Sequence, residues 1–191
     1  MRVDLRHGFA AAQEVADLTR ELHCSQGGLN VEAVGTPLTK EQVMRWQALA
    51  LTTVAADIVG VLHGAHAGAV AYTKERSQYG VLIGSFQAIQ HLCAEMLVQA
   101  QAAHSITCYA AWAVDELDPE QALLAARTAK AYAASAALPV TETVMQVYGG
   151  IGQTWEHIAH VYTRRAMVGA QLFGDEAFQL QQIADARLGA R

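Results

Sequence analysis

Charge is scarce in this chain: Asp, Glu, Lys and Arg make up 16% of its 191 residues, and 13 Lys and Arg against 18 Asp and Glu leave a formal net charge of −5. That balance carries no basic footprint, so neither nucleic acid nor an anionic membrane is expected as a partner. Cysteine is equally sparse. Cys24, Cys93 and Cys108 are odd in number and lack Cys-x-x-Cys spacing, which points away from a disulfide framework and from zinc, and toward a reducing cytoplasm. The start of the chain has no apolar stretch of the kind a secretory signal needs. No Gly-x-Ser-x-Gly elbow, Walker-type loop, pair of catalytic carboxylates, internal repeat or low-complexity tract occurs. The Glu-x-x-His signature of di-iron bundles is missing as well. His63 with His66, and His157 with His160, each three apart on an expected helix, therefore lack the further ligands a metal requires, and no metal is expected.

What the chain has in excess is apolar matter. Hydrophobic residues amount to 52% and the mean hydropathy is +0.14, so much of the chain must be buried, in part against another protein surface. The richest apolar run, Ala48 to Tyr72, is interrupted by Asp57, His63 and His66, which favours a buried helix over a membrane span.

From about residue 39 the pattern is helix after helix. Thr39 with Gln42 three residues on reads as a capping box, and Asp118-Pro119-Glu120-Gln121 places a cap before a proline at the first helical position. Gly80 to Ser85 breaks the apolar pattern, with Ser85 as a candidate cap. Helices are expected at about 40–76, 85–116, 119–147, 154–170 and 175–188. Small residues stack at helical spacing in Ala56, Gly60, Gly64 and Gly68, and again in Ala126, Ala129, Ala133 and Ala137, so close helix approach is expected along both stripes. The fold class expected is all-α: an antiparallel four-helix bundle with additional short carboxy-terminal helices. Residues 1–38, with Gly27, Gly28, Gly35 and Pro37, read as an irregular leader or a β remnant, and 39–191 as the bundle. Trp46, Trp112 and Trp155 read as core or interface anchors.

Three stretches carry more than packing. They are Tyr72-Thr73-Lys74-Glu75-Arg76-Ser77-Gln78-Tyr79-Gly80 with Ile83-Gly84-Ser85-Phe86-Gln87, then Gln146-Val147-Tyr148-Gly149-Gly150-Ile151-Gly152, then Tyr162-Thr163-Arg164-Arg165-Ala166. In order and spacing they resemble the carboxy-terminal bundle of acyl-CoA dehydrogenases over about residues 45–188. Asp17-Leu18-Thr19-Arg20 resembles the end of that family's middle β-domain. Read alone, Arg76 suits either a phosphate or a carboxylate on a neighbouring helix, and the Gly149 to Gly152 turn is a helix-ending cap. The resemblance implies that Arg76, Tyr79, Gln87, Gln146, Gly149, Gly150 and Gly152 contact an FAD held in part by a neighbouring subunit.

An acyl-CoA dehydrogenase takes the α-proton of a thioester with a carboxylate. In one branch of the family the residue is a Glu in the loop after the Arg-rich helix, matched here by Phe173. In a second branch it lies on the first long helix, thirty residues before Gly80, matched here by Ala50. Neither side chain accepts a proton. Asp175 and Glu176 are the nearest substitutes, and equally suit the first turn of the last helix, where the macrodipole favours anions. The chain therefore resembles a component that completes an FAD site in a homo- or hetero-oligomer, with a catalytic acyl-CoA dehydrogenase subunit as partner and an acyl-CoA as substrate. A second explanation of the absent base is that the chain is a piece of a longer dehydrogenase, and the alternative function is a structural protein that keeps the bundle for assembly alone.

Overall fold

The computed structural model describes residues 2–3, 16–21, 31–32 and 35–189; Cys24, Gly27 and Gly28 lie outside them. Helix α1 spans Lys40–Thr73 and opens on the expected capping box. Gln42 N donates to Thr39 Oγ1 at 3.2 Å while Thr39 N donates to Gln42 Oε1 at 2.9 Å. Helix α3, Pro119–Tyr148, opens on Asp118, whose Oδ1 accepts from the amides of Glu120 and Gln121, both at 3.0 Å. In both cases partners within three residues satisfy amides that the first turn leaves free.

Where tertiary contacts intervene, the boundaries move. Helix α2 runs Gln87–Glu116 with Phe86 at its cap position. Ser85 does not cap it. Ile83–Ser85 tightens into a 3-10 turn, and the Ser85 hydroxyl donates instead to Leu82 O at 2.7 Å. The reason lies one element back: a Cβ on Gly84 would stand 2.9 Å from Thr73 O, so this turn is pressed against the end of α1. α1 itself stops at Thr73 rather than 76, because the amides of Glu75 and Arg76 fold back onto Tyr72 O. The chain then forms a hairpin of β3 (Ser77–Gln78) and β4 (Val81–Leu82). Its two-residue turn has positive φ at both Tyr79 (53°) and Gly80 (81°), the combination that matches strand twist. Helix α4 spans Ala159–Gln171 and begins later than expected, since Gly149–Gln153 forms a 3-10 turn and His157 Nδ1 accepts from Ala159 N at 3.2 Å. Helix α5 spans Glu176–Leu188, capped by Asp175, whose Oδ1 accepts from Phe178 N at 2.9 Å.

α3 lies at the centre, touching α1, α2, α4 and α5, while α1 also touches α2 and α4. The connection Leu117-Asp118 between α2 and α3 is too short for anything but an antiparallel pair. The fold is thus the all-α bundle anticipated from periodicity. The α3 stripe of Ala126, Ala129, Ala133 and Ala137 is fully buried. The α1 stripe is not: Ala56 and Gly60 are exposed, and only Gly64 and Gly68 meet neighbours, the rings of Tyr162 and Tyr148. α1 buries Ala55, Ile58, Leu62, Ala65 and Ala69 instead. By length and composition α1 could cross a membrane, yet half of its most apolar window is buried in the bundle. All three tryptophans are exposed, contrary to a core role within this chain.

Before the bundle, β1 (Arg2–Val3) and β2 (Val31–Glu32) pair antiparallel. The Asp17 to Arg20 stretch is tied to the bundle by charge. Asp57 on α1 accepts from Arg20 Nη2 at 2.5 Å and from Arg165 on α4, and Arg165 Nη1 also donates to Thr19 Oγ1 at 2.7 Å. Fully buried Asp17 accepts from Thr19 N and Oγ1 at 2.9 and 2.6 Å.

Candidate functional site

Two grooves lie toward opposite ends of α1, and between them they gather most of the residues singled out from sequence. The first, of about 620 Å³, is lined by Tyr72, Arg76, Tyr79, Phe86, Tyr148, Gly149, Gly150 and their neighbours. Its wall is aromatic: the Tyr72 and Tyr148 rings stand 4.9 Å apart, and Tyr79 meets Phe86 edge-on at 6.4 Å. Arg76 is exposed there, and no described residue gives its side chain a hydrogen bond or an ion pair, so the carboxylate partner considered from sequence is not found among them. Gly149 caps α3 at φ 66°, and a Cβ on Gly149 or Gly150 would meet nothing within 4 Å, which leaves backbone bare at the groove. Gly152 serves packing instead: its Cβ would stand 2.8 Å from Met145 O and from Tyr148 Cβ. Gln87, Gln146 and Gly152 are not among the lining residues, although Gln87 and Gln146 are exposed nearby in sequence. Free guanidinium, bare glycine backbone and flat aromatic walls form a donor set that fits a phosphate flanked by ring systems.

The second groove, of about 550 Å³, is lined by Leu38, Val43, Trp46, Gln47, Ala50, Leu51, Arg127, Phe173, Phe178, Gln179 and Gln182. Ala50 and Phe173, 123 residues apart in the chain, thus share one pocket, and among the described residues no carboxylate lines it. Asp175 and Glu176 line a different groove, between α3 and α4. Phe173 adopts φ 58°, a left-handed conformation costly for a bulky residue. The surrounding structure holds it there. Gln179 Nε2 donates to Phe173 O at 2.7 Å, and Lys130 Nζ donates to Ala170 O at 2.8 Å and to Gly174 O at 3.0 Å. Lys130 and Gln179 are both essentially fully buried. Burial lowers the Lys130 pKa from 10.5 to about 8, partly opposed by the nearby Asp175 charge.

Lys130, Gln179 and Arg127 were not singled out from sequence. For Lys130 a signal existed: it sits at the helical spacing of Ala126, Ala133 and Ala137, so a lysine on that buried stripe must find acceptors inside. The two grooves are separated by about 33 Å along α1, from Ala50 to Tyr72 at 1.5 Å per residue, farther than one extended dinucleotide reaches.

Comparison with known proteins bears on both. The carboxy-terminal domain model of acyl-CoA dehydrogenases matches residues 42–188. Acyl-CoA dehydrogenase FadE34 of Mycobacterium tuberculosis is 42% identical over 148 residues, covering 77% of this chain and 21% of that protein. Butyryl-CoA dehydrogenase from Megasphaera elsdenii superposes with a TM-score of 0.72 at 29% identity over 76% of this chain and 37% of that one. A steroid acyl-CoA dehydrogenase variant, Tcur3481-Tcur3483, gives 0.80 at 26% identity over 94% and 48%. The chain spans about a fifth of the length of FadE34 and less than half of either solved chain. The chain belongs to the acyl-CoA dehydrogenase C-terminal domain family.

Proposed function

We propose that this chain is a component of an FAD-dependent acyl-CoA dehydrogenase that completes a shared flavin site and supplies no base for the α-proton. One observation carries the reading: Ala50 and Phe173, the two positions that the resemblance matches to the family's base, line a single pocket with no carboxylate among its described lining residues. FAD, when bound, supplies the acceptor for the hydride lost from the thioester's β-carbon. This chain's residues contribute one part of the shared site. Arg76 neutralises phosphate charge, Gly149 and Gly150 allow backbone approach, Tyr79 shields the rim, and the apolar pocket excludes water from an acyl group. Gln87, Gln146 and Gly152 act in the same region, Gly152 by holding the turn. The α-proton goes to a carboxylate of another chain, which makes the partner a catalytic acyl-CoA dehydrogenase subunit. The 33 Å separation supports a site built across subunits, since no single dinucleotide joins the two grooves of one chain. The free thiols Cys93 and Cys108 agree with a cytoplasmic setting.

The second reading, a bundle kept for assembly alone, draws on exposed apolar residues of α2 such as Val98, Tyr109 and Trp112. The two separate on purification with a dehydrogenase-like partner. The flavin component retains a yellow chromophore, and Arg76→Ala, at an exposed position, releases it while leaving the melting temperature of the flavin-free chain unchanged. No flavin spectrum with any partner, or an unchanged one in the variant, rejects the cofactor role. Turnover that falls with Asp175→Asn or Glu176→Gln, in folded protein, rejects the baseless reading.

A further inference from the structure

Among the described residues that line the pocket shared by Ala50 and Phe173, one is charged, and that group has no described partner. Arg127 projects from α3, half-buried, among Leu38, Val43, Trp46, Leu51, Phe173 and Phe178. No described residue hydrogen-bonds or ion-pairs with it, and burial pulls its pKa below the ordinary arginine value. The other polar side chains among the described lining residues are Trp46 and the amides of Gln47, Gln179 and Gln182, so no described anion compensates the cation. Gln179, only 1% exposed, is committed through Nε2 to the Phe173 turn. A partly desolvated guanidinium left unpaired is unfavourable, and pairing it is correspondingly favourable.

A pocket built only for a neutral hydrocarbon would have no use for this group. A planar fork of donors inside apolar walls matches a carboxylate, which it grips with two parallel hydrogen bonds. The volume of about 550 Å³ lies in the range of small-ligand sites. We propose that the Ala50–Phe173 pocket binds a carboxylate-bearing amphiphile, its carboxylate paired with Arg127 and its hydrocarbon body lying against Trp46, Phe173 and Phe178. If the chain also serves an acyl-CoA dehydrogenase, this deepens that reading: the acyl group handled there carries a free carboxylate besides the thioester. The binding itself requires no flavin and no partner.

Trp46, 71% exposed at the pocket rim, provides the readout. The purified 191-residue chain is titrated with decanoate, decanol and decyl phosphate, and quenching of tryptophan fluorescence is followed, with Trp46→Phe identifying the responding ring. A charge-assisted pair predicts that decanoate binds about ten- to a hundredfold more tightly than decanol. Arg127→Met removes that preference while leaving decanol binding in place, and Arg127→Lys keeps part of it. The wild-type comparison needs no variant to fold. Equal affinity for decanoate and decanol, no response from Trp46, or tighter binding of decyl phosphate than of decanoate overturns the proposal, the last assigning the pocket to phosphate.

Discussion

Replacing Lys130 by methionine tests how the Phe173–Gly174 turn is held. Among the described residues Lys130 is the only fully buried lysine or arginine. Its folded pKa of about 8 lies below the ordinary 10.5 because burial disfavours the ammonium form. The shift corresponds to about 3 kcal/mol by which folding disfavours the charged form relative to the neutral one. Below about pH 8 both states carry the proton and that burial cost is fully present. Between about pH 8 and 10.5 the native state releases the proton while the unfolded chain keeps it, so wild-type stability rises with pH. From pH 7 to pH 9 the rise from this group is on the order of 1 kcal/mol. Lys130→Met, which fills similar space without a titrating group, lacks the rise, while every other titration is common to both proteins. It also leaves Ala170 O without its donor and Gly174 O with only the long 3.5 Å contact from Gln179. Urea unfolding followed by far-ultraviolet circular dichroism at pH 7 and pH 9 measures both effects. The destabilisation caused by the variant is expected to be larger at pH 9 than at pH 7 by about 1 kcal/mol. Parallel stability curves would refute the assignment of a shifted, buried ammonium.

Gly152→Ala places a Cβ 2.8 Å from Met145 O and Tyr148 Cβ, so thermal unfolding should show a loss of about 1–3 kcal/mol. Asp57→Asn weakens the bonds to Arg20 and Arg165 that tie the Asp17–Arg20 stretch to the bundle. It should cost about 1–3 kcal/mol and speed tryptic cleavage after Arg20, read by mass spectrometry; unchanged cleavage would mean the stretch is held by something else. Phe173→Glu puts a carboxylate into the pocket of Arg127, and decanoate titration should show an affinity at least about tenfold weaker. Glu at φ 58° is no more strained than Phe, so unchanged binding would place Arg127 out of reach of that position.

The parts of the fold legible from sequence were those decided locally. The caps at Thr39 and Asp118 depend on partners within three residues, and the Ala126–Ala137 stripe on helical period alone. Ser85 shows the limit: its spacing suits a cap, but Gly84 pressed on Thr73 O, eleven residues back, turns the backbone into a 3-10 helix first. The α1 stripe fails for a related reason. Small residues allow close approach but do not demand it, and the bulk of Ile58 and Leu62 decides which face turns inward. At the candidate site, the order of the three motifs singled out Arg76 and the Gly149–Gly150 turn, and the fold brings these to one groove. Arg127 and Lys130 escaped notice because their meaning depends on surroundings more than forty residues away or on another helix.

Phe173, Lys130 and Arg127 belong to one arrangement. The left-handed backbone at Phe173 is strained, and strain persists only where neighbours over-determine it. Here two buried side chains, Lys130 and Gln179, hold the carbonyls of Phe173 and Gly174. A turn fastened this firmly presents whatever side chain stands at 173 to the pocket at a fixed angle. In a relative carrying glutamate there, that geometry would aim a base; in this chain it presents a phenyl ring to a cation one helical turn from Lys130. On the proposed function, the frame of a proton-removing site is kept here with apolar surface where the base would stand. That is the expected outcome if the pocket's work is to hold a ligand while another chain performs the chemistry.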